Sequence, residues 1–247
     1  MADNMFALDR CCNRRSFLSA AAITGVASAL GSFAPLQIRA ATQAGAGVSP
    51  DAALAKLVAG NRVFAGTMAS TRGQTIEERA ALGAGQAPWA SILTCADSRL
   101  APEIIFNVGL GDIFVSRVAG NVVDPTETAS LEYGSAVLGS QLIVVMGHSS
   151  CGAVQSTIDA AAGKKMPSAD LEHLVTTIMP AVRSVQGKPG NELTNAIKAN
   201  VLAGVSRLQA NAMMKDLIAH GKLKVAGAYY DLATGKVSLL KTETVHA

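Results

Sequence analysis

Ala90-Ser91-Ile92-Leu93-Thr94-Cys95-Ala96-Asp97-Ser98-Arg99 is the stretch whose reading decides the fold. Its first half is apolar and partly β-branched, the pattern of a strand buried on both faces. It stops abruptly in a thiol, a carboxylate and a guanidinium. A second apolar run, Leu142-Ile143-Val144-Val145-Met146-Gly147, stops the same way in His148 and Cys151. In open parallel sheets the ligand crevice lies outside the carboxyl ends of the strands. The two strand ends together offer two sulfurs and one imidazole, a metal-ligand set with one position left over.

Outward from these two runs, strands are predicted at 90–95, 112–118, 141–147, 223–230 and 237–240. Helices are predicted at 102–106, 125–138, 153–162, 170–186 with an interruption at Pro180, and 191–219, the last on the stripe Leu193, Ile197, Val201, Val205 and Leu208. Thr234-Gly235-Lys236 is a hairpin signal, so the final strand should run antiparallel at an edge. The alternation of strands and helices gives an α/β class: a mostly parallel central sheet of about five strands with an antiparallel edge strand, flanked by helices, with an N-terminal helical arm.

Residues 1–41 read as an export leader. Asn13-Arg14-Arg15-Ser16-Phe17-Leu18 resembles the twin-arginine signal, an Ala- and Gly-rich apolar segment follows, and Ala40-Ala41 offers a cleavage site. The alternatives are an uncleaved anchor or a chance arginine pair, but Thr24, Gly25, Ser28, Gly31, Ser32 and Pro35 make a poor permanent span. The implied destination is the periplasm, with membrane contact only through the export machinery. Residues 42–85 form a linker and the helical arm. Within it, Ser49-Pro50-Asp51 starts a helix carrying Leu54, Leu57 and Val58, and a second helix is predicted near 75–82. These helices have no neighbour in sequence to bury against, so they must pack on the main domain or on another subunit. The α/β domain occupies 86–247.

The 247-residue chain carries a net charge of +3. The leader holds Arg10, Arg14, Arg15 and Arg39 against Asp3 and Asp9, a balance of +2, which leaves +1 for the body. Such a body gives no electrostatic case for nucleic acid. Four cysteines are too few for a disulfide scaffold, and only Cys95 and Cys151 lie in the body. On cysteine count alone a disulfide between them and a shared metal stand level. His148, three residues before Cys151 in a turn bounded by Gly147 and Gly152, tips the reading to metal. Zinc on two thiolates and one imidazole keeps a fourth position for water and lowers that water's pKa. Asp97, two residues after Cys95, could itself fill that position. A two-point pairing with Arg99 would hold it back, ionised, as the proton acceptor. The bland alternative is a surface ion pair of little consequence.

Cys95-Ala96-Asp97-Ser98-Arg99 with Gly147-His148-Ser149-Ser150-Cys151-Gly152, and also Arg117-Val118-Ala119-Gly120-Asn121, resembles the β-class carbonic anhydrases over about Gln86 to Val154. The resemblance implies one zinc per subunit on Cys95, His148 and Cys151, and a catalytic dyad of Asp97 and Arg99. It further implies a substrate pocket with Gln86, Phe114 and Tyr133, the glutamine reaching its substrate across a dimer. The implied reaction is the hydration of carbon dioxide to bicarbonate, in a homodimer or homotetramer whose N-terminal helices wrap the partner. One subtype carries tryptophan three residues before the first zinc cysteine. Here that position is Ile92 and Trp89 lies six before, which favours the subtype with an open zinc position. Three other readings stand beside this one: hydrolysis of carbon disulfide or carbonyl sulfide on the same site, a non-catalytic zinc-binding protein, and a disulfide-stapled binding protein. His173, His220 and His246 are candidate proton shuttles that read equally as surface histidines.

Overall fold

The structure is a computed structural model, and it describes residues 47–66 and 74–241. The leader expected over residues 1–41 and His246 lie outside the described residues. Five strands form one sheet in the order β2-β1-β3-β4-β5. They are β1 (Ala90–Thr94), β2 (Ile113–Arg117), β3 (Leu142–His148), β4 (Lys224–Tyr230) and β5 (Val237–Leu240). The first four are parallel and β5 is antiparallel to β4, as the hairpin signal required. From β1 the chain steps to β2 on one side and then to β3 on the other. The β1/β3 boundary is therefore the topological switch point, where a crevice opens at the carboxyl ends. Thr94 pairs with both Arg117 and Met146. That register brings Cys95, Arg117 and His148 to one end of the sheet.

Every residue of β1 and β3 is buried. Successive side chains point to opposite faces, so Ile92, Val144 and Met146 enter one core while Leu93, Ile143 and Val145 enter the other. Helices supply the remainder of both cores: α1 (Pro50–Gly66), α3 (Pro102–Ile105), α5 (Gly152–Ala161) and α6 (Ala169–Val185) contribute to the first, α4 (Pro125–Glu132) and α8 (Ala212–Ala219) to the second, and α7 (Glu192–Ala210) to both. The short α2 (Ile76–Leu82) buries no side chain and is held by a capping box between Thr75 and Glu78.

Three helix expectations are corrected. Helix α6 runs through Pro180 without interruption. Proline there frees a carbonyl one turn back, but Pro180 faces solvent, where water serves that carbonyl, while Val175, Ile178, Ala181 and Val182 stay buried across the site. The long helix predicted over 191–219 is two helices divided at Asn211. The Asn211 Oδ1 accepts from the amides of Met213 and Met214, both at 3.1 Å, capping α8, and its Nδ2 donates to Glu132 Oε1 at 2.9 Å. The helix predicted over 125–138 is α-helical only to Glu132 and widens to a π turn over Tyr133–Val137. Gly134 in that turn lies so close to β1 and β2 that a Cβ would stand 2.7 Å from Ser91 Oγ.

The arm helix α1 is not an orphan, because it docks on its own domain. Asn61, 5% exposed, donates through Nδ2 to the carbonyls of Ile105 (3.1 Å) and Gly235 (2.9 Å) and accepts at Oδ1 from the amide of Val237 (2.8 Å). At the adjacent Gly60 a Cβ would meet the Phe106 carbonyl oxygen at 1.8 Å, so only glycine permits this approach. Asn61→Ala leaves an amide and two carbonyls without partners at about 1–3 kcal/mol for a group that stays dry. It is expected to lower the melting temperature by about 5 °C or more, whereas Arg62→Ala, on the exposed face, should leave it unchanged. Thermal unfolding followed by circular dichroism checks both, and an unchanged transition in Asn61→Ala contradicts the docking role.

Candidate metal centre and its surroundings

Cys95 follows the last residue of β1, His148 ends β3, and Cys151 precedes the first turn of α5. Their ligand atoms all lie within 4.8 Å of one another, and all three residues are buried. Cys95 and Cys151 are free thiols, so the alternative of a disulfide between them is not what the fold builds. The His148 Nδ1 lies 2.9 Å from the Ser149 carbonyl oxygen, an acceptor only, so Nδ1 carries the ring proton. Nε2 is therefore a bare lone pair, fully buried and without a hydrogen-bond partner. The Ser149 carbonyl is itself fixed, since the Ser149 amide donates to the Tyr230 carbonyl at 2.9 Å and its hydroxyl accepts from the Leu232 amide at 3.0 Å.

The two thiols shift one another in opposite directions. The Cys151 thiol donates to Cys95, which with contacts from His148 and nearby backbone draws the Cys95 pKa down to about 4 against the opposing effect of burial. The same bond, reinforced by burial, pushes the Cys151 thiol above its ordinary range. The amide of Gly120 donates to Cys95 Sγ at 3.3 Å. Gly120 sits at φ +66°, and a Cβ there would meet Ile178 Cδ1 at 2.6 Å, so glycine is needed both for the turn and for the contact. Two sulfur donors and an unprotonated imidazole nitrogen, buried and converging, fit the donor set of a three-ligand zinc site.

Asp97 and Arg99 form the two-point pair that the sequence suggested. Arg99 Nε donates to Oδ1 at 2.8 Å and Nη2 to Oδ2 at 2.7 Å, while the Arg99 amide adds a third bond to Oδ1 at 3.0 Å. These bonds hold the Asp97 carboxyl well below the usual carboxylate range. Oδ2 stands 3.9 Å from His148 Nε2, so the carboxylate faces the centre while tied back from it. One residue of this neighbourhood was read in the sequence only as part of the Arg117–Asn121 resemblance, with no role of its own. Arg117, at the end of β2, donates through Nε to the Cys95 carbonyl at 3.1 Å and through Nη2 to the Asp97 carbonyl at 2.6 Å. An arginine at a strand end is visible in the sequence, but its target depends on the β1/β2 register.

Gln86, Phe114 and Tyr133 are not brought to this centre within one chain. Gln86 is exposed and lines a cavity of about 420 Å³ with Lys56, Trp89 and Asp112, ahead of the start of β1. Phe114 pairs in register with Ser91, four residues before Cys95, or about 13 Å along the strand at ~3.3 Å per residue. Tyr133 stacks near Phe114, with ring centroids 6.2 Å apart at 46°, and is 40% exposed. His173 and His220 are exposed, and His220 Nδ1 contacts the Asp216 carbonyl at 2.8 Å.

Comparison with known proteins agrees with this geometry. The sequence profile of the family described as carbonic anhydrase matches residues 90–237. A carbonic anhydrase 2 of Mycobacterium tuberculosis is 38% identical over 192 residues, covering 77% of this chain and 93% of the relative. A carbonic anhydrase of Mycolicibacterium smegmatis is 39% identical over 194 residues, with the same shares covered. Among solved structures, the β-carbonic anhydrase CcaA superposes with a TM-score of 0.60 at 27% identity, over 67% of this chain and 85% of that one. One of two tetrameric β-carbonic anhydrases of Sordaria macrospora gives 0.60 at 26%, over 74% and 90%. With its parallel sheet, its switch-point crevice and the matched length, the chain belongs to the carbonic anhydrase family, in the β class.

Proposed function

We propose that the protein catalyses the reversible hydration of carbon dioxide to bicarbonate and a proton, with one zinc ion held by Cys95, His148 and Cys151. The observation that carries this reading is the unpartnered Nε2 of His148 converging with two sulfurs beside a carboxylate restrained by Arg99. Zinc, when bound, supplies the Lewis acidity that brings the ionisation of a water toward neutral pH.

The chain's own residues supply the remaining steps. Asp97 stays ionised throughout the physiological range because Arg99 bonds both of its oxygens. Its Oδ2, facing the centre, accepts a hydrogen bond from a water or from the hydroxyl of bicarbonate held there, and so fixes which lone pair faces the substrate carbon. Arg99 takes no proton in this scheme. It lies half open to solvent, with its side chain 52% exposed, and keeps the carboxylate from turning inward. Proton release to buffer completes the cycle, so activity rises with pH.

A homodimer completes the pocket in this reading. Strand β2 lies at the end of the sheet and pairs only with β1 among the described residues. Tyr133 on the turn beside it, and Ile104 and Leu110 in the preceding segment, are large apolar side chains left exposed. A second copy docked on that edge covers them and carries its Gln86, Phe114 and Tyr133 toward the first copy's centre, which the single chain does not do. We assign residues 1–41 to a twin-arginine leader and the mature protein to the periplasm, on the strength of Arg14-Arg15 and the mild apolar segment behind them. None of the helices among the described residues is long and apolar enough to cross a membrane.

Stopped-flow hydration assays on the zinc-loaded protein should show activity that falls about a hundred-fold or more in Asp97→Ala while zinc content stays unchanged. A zinc-replete but inactive parent protein rejects the hydratase reading. The sulfur pair makes a second forecast. With the Cys95 thiol drawn down by its neighbour and the Cys151 thiol pushed up, the metal-free site near neutral pH is expected to hold one thiolate and one thiol. Zinc binding requires both as thiolates, so loading should release about one proton rather than two. Affinity should then weaken about ten-fold for each pH unit lost, and more steeply once Cys95 also protonates near the foot of the range. Calorimetric titration in buffers of different ionisation enthalpy measures this, and release of two protons contradicts a site of one thiolate and one thiol. Finally, changing Arg14 and Arg15 together to lysine should shift a tagged protein from the periplasmic to the cytoplasmic fraction; unchanged fractionation removes the leader assignment.

A further inference from the structure

Resting on the proposed zinc chemistry, we propose that Arg117 is a positioning residue that keeps Asp97 off the metal, by fixing the backbone of residues 95–97 from the neighbouring strand.

Packing anchors the turn after β1 only at its ends, through buried Cys95 and Leu100, because Ala96, Ser98 and Arg99 between them are all exposed. Between those ends it is held by hydrogen bonds. The Ala96 amide donates to the Val118 carbonyl at 3.2 Å, and the Val118 amide to the Thr94 carbonyl at 3.2 Å, which extends the β1/β2 ladder by one step. Beyond that step the Gly120 amide reaches the Cys95 sulfur at 3.3 Å, and Arg117 crosses to the backbone carbonyls of the turn. Its Nε takes the Cys95 carbonyl at 3.1 Å and its Nη2 the Asp97 carbonyl at 2.6 Å. The Asp97 carbonyl also accepts from the Leu100 amide at 3.0 Å, so both of its acceptor directions are used. A planar guanidinium has its donors in a rigid fork. Bridging carbonyls two residues apart therefore sets the orientation of the peptides at both ends of Ala96.

The consequence falls on Asp97. With Oδ2 only 3.9 Å from His148 Nε2, the carboxylate lies within reach of any metal held there. Arg99 restrains it from the solvent side, but Arg99 is two residues away on the same turn and moves with it. Its link beyond the turn is a long 3.5 Å contact of Nη2 with the Ser150 carbonyl, made from an exposed side chain, so the pair holds the turn against the sheet only weakly. Arg117 holds it more firmly, because it belongs to β2, whose register with β1 is set by five paired residues. Without the fork, the Cys95 and Asp97 carbonyls lose their tie to β2 and the Ala96 amide bond to Val118 is what still holds this backbone to the ladder, so the peptides on either side of Ala96 gain freedom and the carboxylate gains a route to the metal.

Cobalt(II)-substituted protein tests this without relying on turnover. Iodide is titrated while the visible absorption of the metal is followed, so that the readout is access to the fourth position. The parent protein should respond to iodide. Arg117→Met should bind one cobalt yet respond about ten-fold more weakly or less, the scale of one charge-assisted hydrogen bond. The double variant Arg117→Met/Asp97→Ala should recover the parental response, and Arg117→Lys, which keeps the charge but not the fork, should fall between. A parental iodide response in Arg117→Met overturns the proposal, as does a weakened response that Asp97→Ala fails to restore. Should Arg117→Met fail to hold cobalt, Arg117→Lys with and without Asp97→Ala is judged by the same two criteria. If the parent protein hydrates no carbon dioxide while this iodide pattern holds, the hydratase reading fails and the positioning role stands. If hydration is present and the pattern absent, the reverse applies.

Discussion

Two thiols and an imidazole nitrogen buried against one another are the constraint on which the rest of the structure turns. The His148 Nε2 lone pair has no partner, and the two thiols shift one another in opposite directions. In a dry interior an unpaired nitrogen costs about 1–3 kcal/mol and an ionised sulfur more, so the arrangement is unfavourable by itself. A cation bound by all three removes both penalties at once. On the proposed zinc reading, folding and metal loading are linked, because a metal would bind the folded arrangement and not the open chain. This is also why the surrounding bonds all serve the donors: Ser149 sets the His148 tautomer, Gly120 donates to the Cys95 sulfur, and Gly120 can do so only because it lacks a side chain.

The sheet supplies the convergence. Donors from residues 95, 148 and 151 meet because β1 and β3 are neighbours running the same way, so both deliver their following residues to the same end. The reversal of strand order between them leaves a gap in helix cover at that end. Burial of every position in β1 and β3 fixes the register, since a slip by one residue would exchange the faces of Ile92 and Leu93 and break both cores. The β4–β5 hairpin reaches the same place from another direction. Leu232 bonds Ser149, and Asn61 of the arm helix ties Gly235 and Val237 of the hairpin. A helix that sequence alone leaves without neighbours thus ends up bracing the loop behind His148.

What was legible in the sequence was whatever depends on near neighbours. The strand ends, His148 with Cys151, and Asp97 with Arg99 are spaced by two or three residues, so short-range stereochemistry decides where they point. The hairpin at Thr234-Gly235-Lys236 was legible for the same reason. The misreadings came from tertiary competition. Pro180 does not break its helix because buried residues on the far side outweigh one freed, solvent-facing carbonyl. Asn211 does break one, because its side chain caps the next helix and reaches Glu132, a residue 79 positions away. Gln86, Phe114 and Tyr133 are placed by the edge of the sheet, and a single chain does not bring them to the donors. Arg117 was invisible as a functional residue because its partners are backbone carbonyls, which carry no sequence signature.

That last case separates two kinds of restraint on the Asp97 carboxylate. A partner on the same turn, such as Arg99, sets the ionisation of Asp97 and the direction of its oxygens relative to its own backbone. It travels largely with that backbone, and its long 3.5 Å contact with the Ser150 carbonyl holds the turn's position in the molecule only weakly. A partner on a neighbouring strand, such as Arg117, has no effect on the carboxylate itself, yet its register with β1 fixes where the turn stands against the metal ligands. In the proposed hydration mechanism Asp97 has to remain ionised, point at the centre and still stay off the metal. The first two requirements are met locally, within a five-residue motif. The third is a relation between two strands, so it depends on the sheet, and a motif transplanted without its neighbouring strand would lose it first.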